Sequence, residues 1–337
     1  MTDLNTFPQF ETHLRTLYAE GKLREIIAHI DDRREDFPDE RLFLAYWQMG
    51  MAARLDDTEL AFQILDDLID QGLWINQVLL KTSPSLETLQ NNPEYEGRIQ
   101  EMAALQQREI SQLIPLLTLH QEGRCGHSAN PSPYVGVGPS PYVGAGPCPL
   151  LIGLHAGRSL SLKSIPFWQV PATNGWLVGV PQSSQALWSG GYVWDDQQIA
   201  RDEIDHHIRG QMDKYAVDRR RIILAGHRSG GELAALLPVS GGIDARGFIA
   251  IGPTGAAMDD PDQWGRILQG RPPQGLRGVI LIGEKDPAPR LAEIRRIVDL
   301  FNTNGLPCLF EILPGLGNDY EPEYAPAILR AIDFVLS

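Results

Sequence analysis

Between residues 7 and 110 the apolar positions recur at spacings of three and four, as in Leu42, Ala45, Tyr46, Met49 and Ala53, then Leu60, Ile64, Leu65 and Leu68. That period lays an apolar stripe along one side of a helix, so the region reads as helical. Breaks at Gly21, Pro38, Asp56-Asp57 and Gly72 divide it into segments of about 12 to 17 residues joined by short turns. Pro38 suits a helix start and Gly72 a C-terminal cap. Regularity lapses around Ser83, Pro84 and Pro93, and a last helix is predicted over 94–108.

Helix pairs of this length resemble tetratricopeptide repeats. The second pair comes nearest, with Tyr46, Met49, Gly50 and Ala61 close to the large and small positions of that pattern and a loop one residue short. The resemblance implies a TPR-like helical domain over residues 1–110, of the kind that docks a protein partner.

From Leu150 the rhythm changes to short apolar runs alternating with amphipathic segments. Strands are predicted at 150–155, 176–181, 221–226, 247–252, 278–283 and 308–313, and helices at 196–215, 230–239, 288–304 and 323–336. Nearly continuous hydrophobicity in each strand is what a parallel sheet covered on both faces requires. The alternation specifies a doubly wound, mostly parallel α/β domain, placed at 111–337. The run LIPLLTL at 113–119 is expected to add an antiparallel edge strand. That would put the intervening Gly/Pro-rich stretch, 121–149, inside the α/β domain as a flexible loop. This stretch carries a tandem duplication, PSPYVGVG at 131–138 and PSPYVGAG at 139–146. Two readings are open for it: a dispensable loop expansion, since loops lengthen at small entropic cost, or a peptide-docking element presenting Tyr134 and Tyr142.

Composition narrows the function classes. With 43% apolar and 21% charged residues the chain is ordinary for a globular protein, which excludes disorder throughout. The formal charge of -14 is uneven: residues 1–125 hold 11 Lys and Arg against 22 Asp and Glu, and the remainder holds 18 against 21. An acidic N-terminal region repels nucleic acid and anionic membrane, so neither is expected as a partner. Cys125, Cys148 and Cys308 cannot all pair and match no zinc or redox spacing, so neither metal nor cofactor is expected. The start MTDLNTFPQFETHL lacks a basic and apolar leader, and the expected location is the cytoplasm.

The candidate chemistry lies after the 221–226 strand, in AGHRSGGEL. A sharp strand-to-helix turn flanked by glycines is a nucleophile elbow, which lifts one side chain above the sheet. Here the chain resembles the α/β-hydrolases, in particular their carboxylesterase and lysophospholipase-like branch, whose pattern is G-x-Ser-x-G-G. The register sets Arg228 on the nucleophile position. The resemblance further implies Asp286, in GVILIGEKDP, as the acid, and Asn318, in ILPGLGNDY, at the histidine position. It implies an oxyanion hole from Ala156 and Gly157 of HAGRS and the N–H of Ser229. Ala156 and Arg158 depart from the family's HGGG loop. The histidines are residues 13, 29, 120, 127, 155, 206, 207 and 227, so none follows the acid and the family's Ser-Asp-His order cannot be completed.

An alcohol needs a neighbouring base to attack a carbonyl, and arginine, always protonated, has no lone pair to attack with. The reading is therefore a catalytically inactive pseudo-esterase serving as a binding or scaffold protein. Two alternatives stay open: an active carboxylesterase-type hydrolase using Ser229, and a TPR-like interaction protein with a remnant hydrolase domain. Arg228 is expected to pair with Asp286 as a buried bidentate ion pair, or else to bind a small carboxylate, phosphate or ester ligand with the elbow N–H groups. His155 reads as a structural residue of the oxyanion loop, and His206 and His207 as a solvated helix face. Trp188, Tyr192 and Trp194 would line a cleft or fill core and rim.

Overall fold

A computed structural model describes residues 5–121, 125–126, 147–270, 272, 274–286, 288–317 and 319–337. It divides into two compact units, one of Met1–Leu113 with Ala186–Ser189, the other of Ile114–Gln185 with Gly190–Ser337.

The first unit is helical: α1 (Phe7–Ala19), α2 (Leu23–Arg33), α3 (Arg41–Arg54), α4 (Thr58–Asp70), α5 (Gln77–Thr82) and α6 (Pro93–Gln112). The breaks fall where the sequence places them. Gly21 and Gly72 take φ of 73° after α1 and α4, a conformation that costs a Cβ-free residue little. Asp57 caps α4 by accepting from the Leu60 N–H at 3.1 Å. Of the predicted stripe, Met49, Ala53, Ile64, Leu65 and Leu68 are buried, while Leu42, Ala45, Tyr46 and Leu60 are half-buried and Leu44 and Ala61 are buried beside them. The last helix runs one turn further than predicted, through Gln112. Trp188 belongs to this unit: it bridges to Ile75, its ring lies 6.4 Å from that of Phe43, and it is buried, so it fills core.

The second unit holds a seven-stranded sheet. Its strands are β1 (Leu116–Leu119), β2 (Cys148–Leu154), β3 (Leu177–Pro181), β4 (Val217–His227), β5 (Gly247–Ile251), β6 (Arg277–Gly283) and β7 (Cys308–Leu313). Their order across the sheet is β1-β3-β2-β4-β5-β6-β7. β1 pairs antiparallel with β3, as the 113–119 run foretells, and every other pairing is parallel. The helices are α7 (Ile165–Thr173), α8 (Gln197–Lys214), α9 (Ser229–Val239), α10 (Ala256–Asp259), α11 (Pro261–Leu268), α12 (Ala288–Thr303) and α13 (Tyr324–Leu336). Successive strand residues serve opposite faces. In β2, Leu151 joins a core with Phe167 and Trp168 of α7 and Ile328 of α13, while Leu150, Ile152 and Leu154 join one with Ile204 of α8 and Ala234 of α9. A third cluster sets Phe248 and Ile280 against Trp264 of α11 and Phe301 of α12. Both faces are thus covered, which is why the strands are apolar throughout.

The sequence pattern missed α7. Pro166 and Pro171 fall within IPFWQVPAT, and proline removes a helical donor. The helix survives because Phe167 and Trp168 are almost wholly buried against the sheet. Most of the predicted loop at 121–149, including both copies of the duplicated octapeptide with Tyr134 and Tyr142, lies outside the described residues.

Candidate functional site

β4 ends at His227 and α9 begins at Ser229, leaving one residue to turn the chain. That residue is Arg228, with φ 53° and ψ -119°, a sparsely populated conformation for a side chain bearing a Cβ. Its backbone is held on both sides. The N–H donates to Ile251 O at 3.0 Å, and the carbonyl accepts from the N–H groups of Gly231, Glu232 and Thr254 at 2.9, 3.1 and 3.1 Å. The flanking glycines are steric requirements. A Cβ on Gly226 would stand 2.0 Å from Gly230 O, and one on Gly230 would stand 2.4 Å from His155 O.

The Arg228 guanidinium turns outward. Its Nη2 lies 3.1 Å from Asp319 Oδ1, with the arginine side chain 41% exposed and the aspartate 91%. The expected pair with Asp286 does not form. Asp286 is buried, in the turn after β6, with its Oδ1 3.9 Å from Nε of Arg290 on α12. The physical reason is the elbow itself: it lifts the 228 side chain above the sheet, while Asp286 lies below solvent with a guanidinium four residues along its own chain. Asp319 and Arg290 are the two partners sequence reasoning missed. The second had a signal, since positions four apart face one another once a helix forms. The first follows Asn318, which itself lies outside the described residues.

Ser229 is the first residue of α9. Its Oγ is buried without a hydrogen-bond partner among the described residues, and it faces Gly157, where a Cβ would come within 2.8 Å of it. A general base would have to stand about 2.6–3.2 Å away to take its proton. The first turn of any helix leaves N–H groups without intrahelical acceptors, so the elbow also presents backbone donors.

The loop after β2, with Ala156 and Gly157, is fixed by His155. Nε2 of this buried ring accepts from the Ser183 N–H at 3.2 Å, so the proton is on Nδ1, which donates to Ala156 O at 2.7 Å. Trp194 Nε1 donates to His155 O at 3.0 Å. Burial pushes the imidazole pKa down to about 4, so the ring is neutral at pH 7. Trp194 and Tyr192 are buried and fill core. His227, buried beside the elbow, packs on Phe167 at 4.7 Å between ring centres. His206 is exposed, but His207 is half-buried, and burial lowers its pKa to about 4; the solvated face covers only one of the two.

Beneath the elbow, Glu232 of α9 is half-buried and accepts from the Met258 N–H at 2.9 Å; partial burial raises its pKa. Tyr324 donates to Gly317 O, and burial followed by the charge of Asp286 pushes its pKa up to about 12. The arrangement offers a half-exposed cation above a helix N-terminus, with a buried hydroxyl beside it. Among the described residues no cluster of three metal-ligating side chains occurs, and no helix is long and apolar enough to cross a membrane.

Comparison with family models and with curated proteins gives no match. Among solved structures, an uncharacterized protein from Bacillus cereus ATCC 10987 is 18% identical over 98% of each chain, with a TM-score of 0.50. A dienelactone hydrolase-like promiscuous phosphotriesterase from metagenomic libraries is 13% identical, covering 57% of this chain and 87% of its own, with a TM-score of 0.45. A carboxylesterase from Mesorhizobium loti is 13% identical, covering 54% and 87%, with a TM-score of 0.43. The first likeness is one of fold, and the other two are too distant to decide anything about this chain's chemistry. By fold, the chain is a mostly parallel α/β protein with a helical N-terminal region, and the structures it is similar to include esterases and other hydrolases.

Proposed function

We propose that the α/β unit is a hydrolase-type scaffold that binds a ligand at its elbow and does not cleave one. The observation that carries this reading is Arg228 at φ 53° and ψ -119°, on the turn where a hydrolase presents its nucleophile. A guanidinium stays protonated and cannot attack a carbonyl, so the group in the reacting place can only attract charge. Ser229 is a weaker candidate for nucleophile. It occupies the first helical position, and its buried oxygen has no base among the described residues.

The ligand in this reading is a small carboxylate or phosphate. The Arg228 guanidinium supplies a planar pair of donors, and the first turn of α9 adds N–H groups and the positive end of its dipole. Asp319 competes only weakly, since an exposed ion pair contributes about 0–1 kcal/mol. The helical unit, read as TPR-like, would supply the contact with a protein partner, making the whole chain a cytoplasmic scaffold.

Hydrolysis of p-nitrophenyl acetate by the full chain, with Ser229→Ala alongside, tests the reading. Neither protein is expected to exceed the buffer rate. Turnover by the unaltered protein that disappears in Ser229→Ala would overturn it in favour of a serine hydrolase. Titration with acetate and with inorganic phosphate, followed by thermal shift, tests the ligand class. Stabilisation that is lost in Arg228→Gln supports it, and equal stabilisation of both proteins refutes it.

A further inference from the structure

Two of the three cysteines stand together, away from the elbow. Cys125 and Cys148 are both almost wholly buried and belong to one apolar cluster with Leu150, Tyr215 and Ile222. The backbone brings them there. Ala216 donates its N–H to Gly126 O at 2.8 Å and accepts from the Cys148 N–H at 2.8 Å, so one residue clasps the chain at 125–126 to the first residue of β2. The Cys148 thiol itself donates to Ala216 O at 3.6 Å, which keeps it on the same clasp. Cys308 lies in a different core cluster, with Phe301 and Trp264.

We propose that Cys125 and Cys148 form a redox-active dithiol, which a peroxide converts to a disulfide joining the two ends of the duplicated PSPYVG stretch. The Cys125 thiolate attacks one peroxide oxygen, the O–O bond breaks, and sulfenic acid and hydroxide result. The Cys148 thiol then displaces that oxygen: a sulfur–sulfur bond forms, the S–O bond breaks, and the thiol proton leaves with the oxygen as water. In sum, two thiols and one hydrogen peroxide give one disulfide and two waters; the two sulfurs lose one electron each and the two peroxide oxygens gain them.

The different surroundings of the two thiols set the order of events. The Cys148 thiol lowers the Cys125 pKa, while Cys125 and burial raise that of Cys148, making Cys125 the attacking sulfur and Cys148 the resolving one. Burial alone raises the pKa of Cys308, which leaves it inert and useful as an internal control. The duplication lies wholly between the pair, so oxidation would place both copies in one covalent ring.

The test uses the full chain and hydrogen peroxide. Arg124 precedes Cys125 and Arg158 is the next basic residue, so trypsin releases both cysteines in the single peptide 125–158. After peroxide, removal of excess oxidant, unfolding and alkylation with iodoacetamide, this peptide is expected to lose both labels and to weigh two hydrogens less. Reduction should restore both labels, and the Cys308 peptide should stay labelled throughout. In Cys148→Ser, Cys125 should stop at sulfenic acid and be captured by dimedone. Retention of both labels on 125–158 while Cys308 reacts, or oxidation of Cys125 to sulfinic acid without a link in the unaltered chain, would overturn the proposal.

Discussion

Replacing Arg228 by alanine and, separately, by glycine measures the strain held in the elbow. Both variants lose the guanidinium and its exposed pair with Asp319, so those contributions cancel between them. What remains is the Cβ at φ 53° and ψ -119°. A residue held in such a sparsely populated region costs about 1–3 kcal/mol. Against this, glycine loses about 0.5–1 kcal/mol more chain freedom on folding than alanine does. The balance makes Arg228→Gly the more stable variant by about 1 kcal/mol, the reverse of the order at an ordinary position. For a unit of this size that is a difference in Tm of about 2–4 °C. Differential scanning calorimetry of the full chain suits the measurement, because two units need not unfold together. Equal stability, or a more stable alanine variant, would refute the argument that the turn imposes strain on residue 228.

Three further outcomes bear on the frame around the elbow. Gly230→Ala sets a Cβ 2.4 Å from His155 O, a backbone atom that cannot swing aside, and should destabilise the chain by about 3 kcal/mol in urea unfolding; a loss below 1 kcal/mol would mean that α9 can shift away from the β2 loop. His155 is neutral when folded, with its pKa near 4 against about 6.5 unfolded, so its contribution is complete above about pH 6.5 and is lost as pH falls towards 4, by roughly 3 kcal/mol in all. The imidazole resonances in NMR should accordingly stay unprotonated at pH 5.5, and a midpoint near 6.5 would contradict the buried Nδ1–H arrangement. Asp286→Ala takes away a carboxylate 3.9 Å from Arg290 Nε, too far for a hydrogen bond, and should destabilise by about 1 kcal/mol without changing the acetate or phosphate response at Arg228; a lost ligand response would tie Asp286 to the binding site.

The apolar pattern by itself determined the layout. Helical spacing up to about residue 108, strand runs from Leu150 and the antiparallel β1 could all be read from local sequence, because burial imposes a period of 3.6 on a helix and continuous hydrophobicity on a doubly covered strand. The elbow was legible in part for the same kind of reason: Gly226 is required by Gly230 O, four residues on in the chain, whereas Gly230 is required by His155 O, on the loop after a different strand. Helix α7 was not legible, since its prolines argue against a helix and only packing against the sheet reverses that preference. Nor was the placement of Trp188, which joins the core of the helical unit from a segment far along the chain. The partners of charged groups were decided by tertiary structure alone. Arg228 meets Asp319 and Asp286 meets Arg290 because the loops after β4, β6 and β7 are brought to one end of the sheet, each with its own direction. The proximity of Cys125 to Cys148 is of the same kind, arising from Ala216 at the start of β4 and from nothing in the spacing of the cysteines. Sequence fixes which groups a chain carries and which local conformations they favour; which two groups face each other across a sheet depends on contacts between residues distant in sequence, and those only the folded chain supplies.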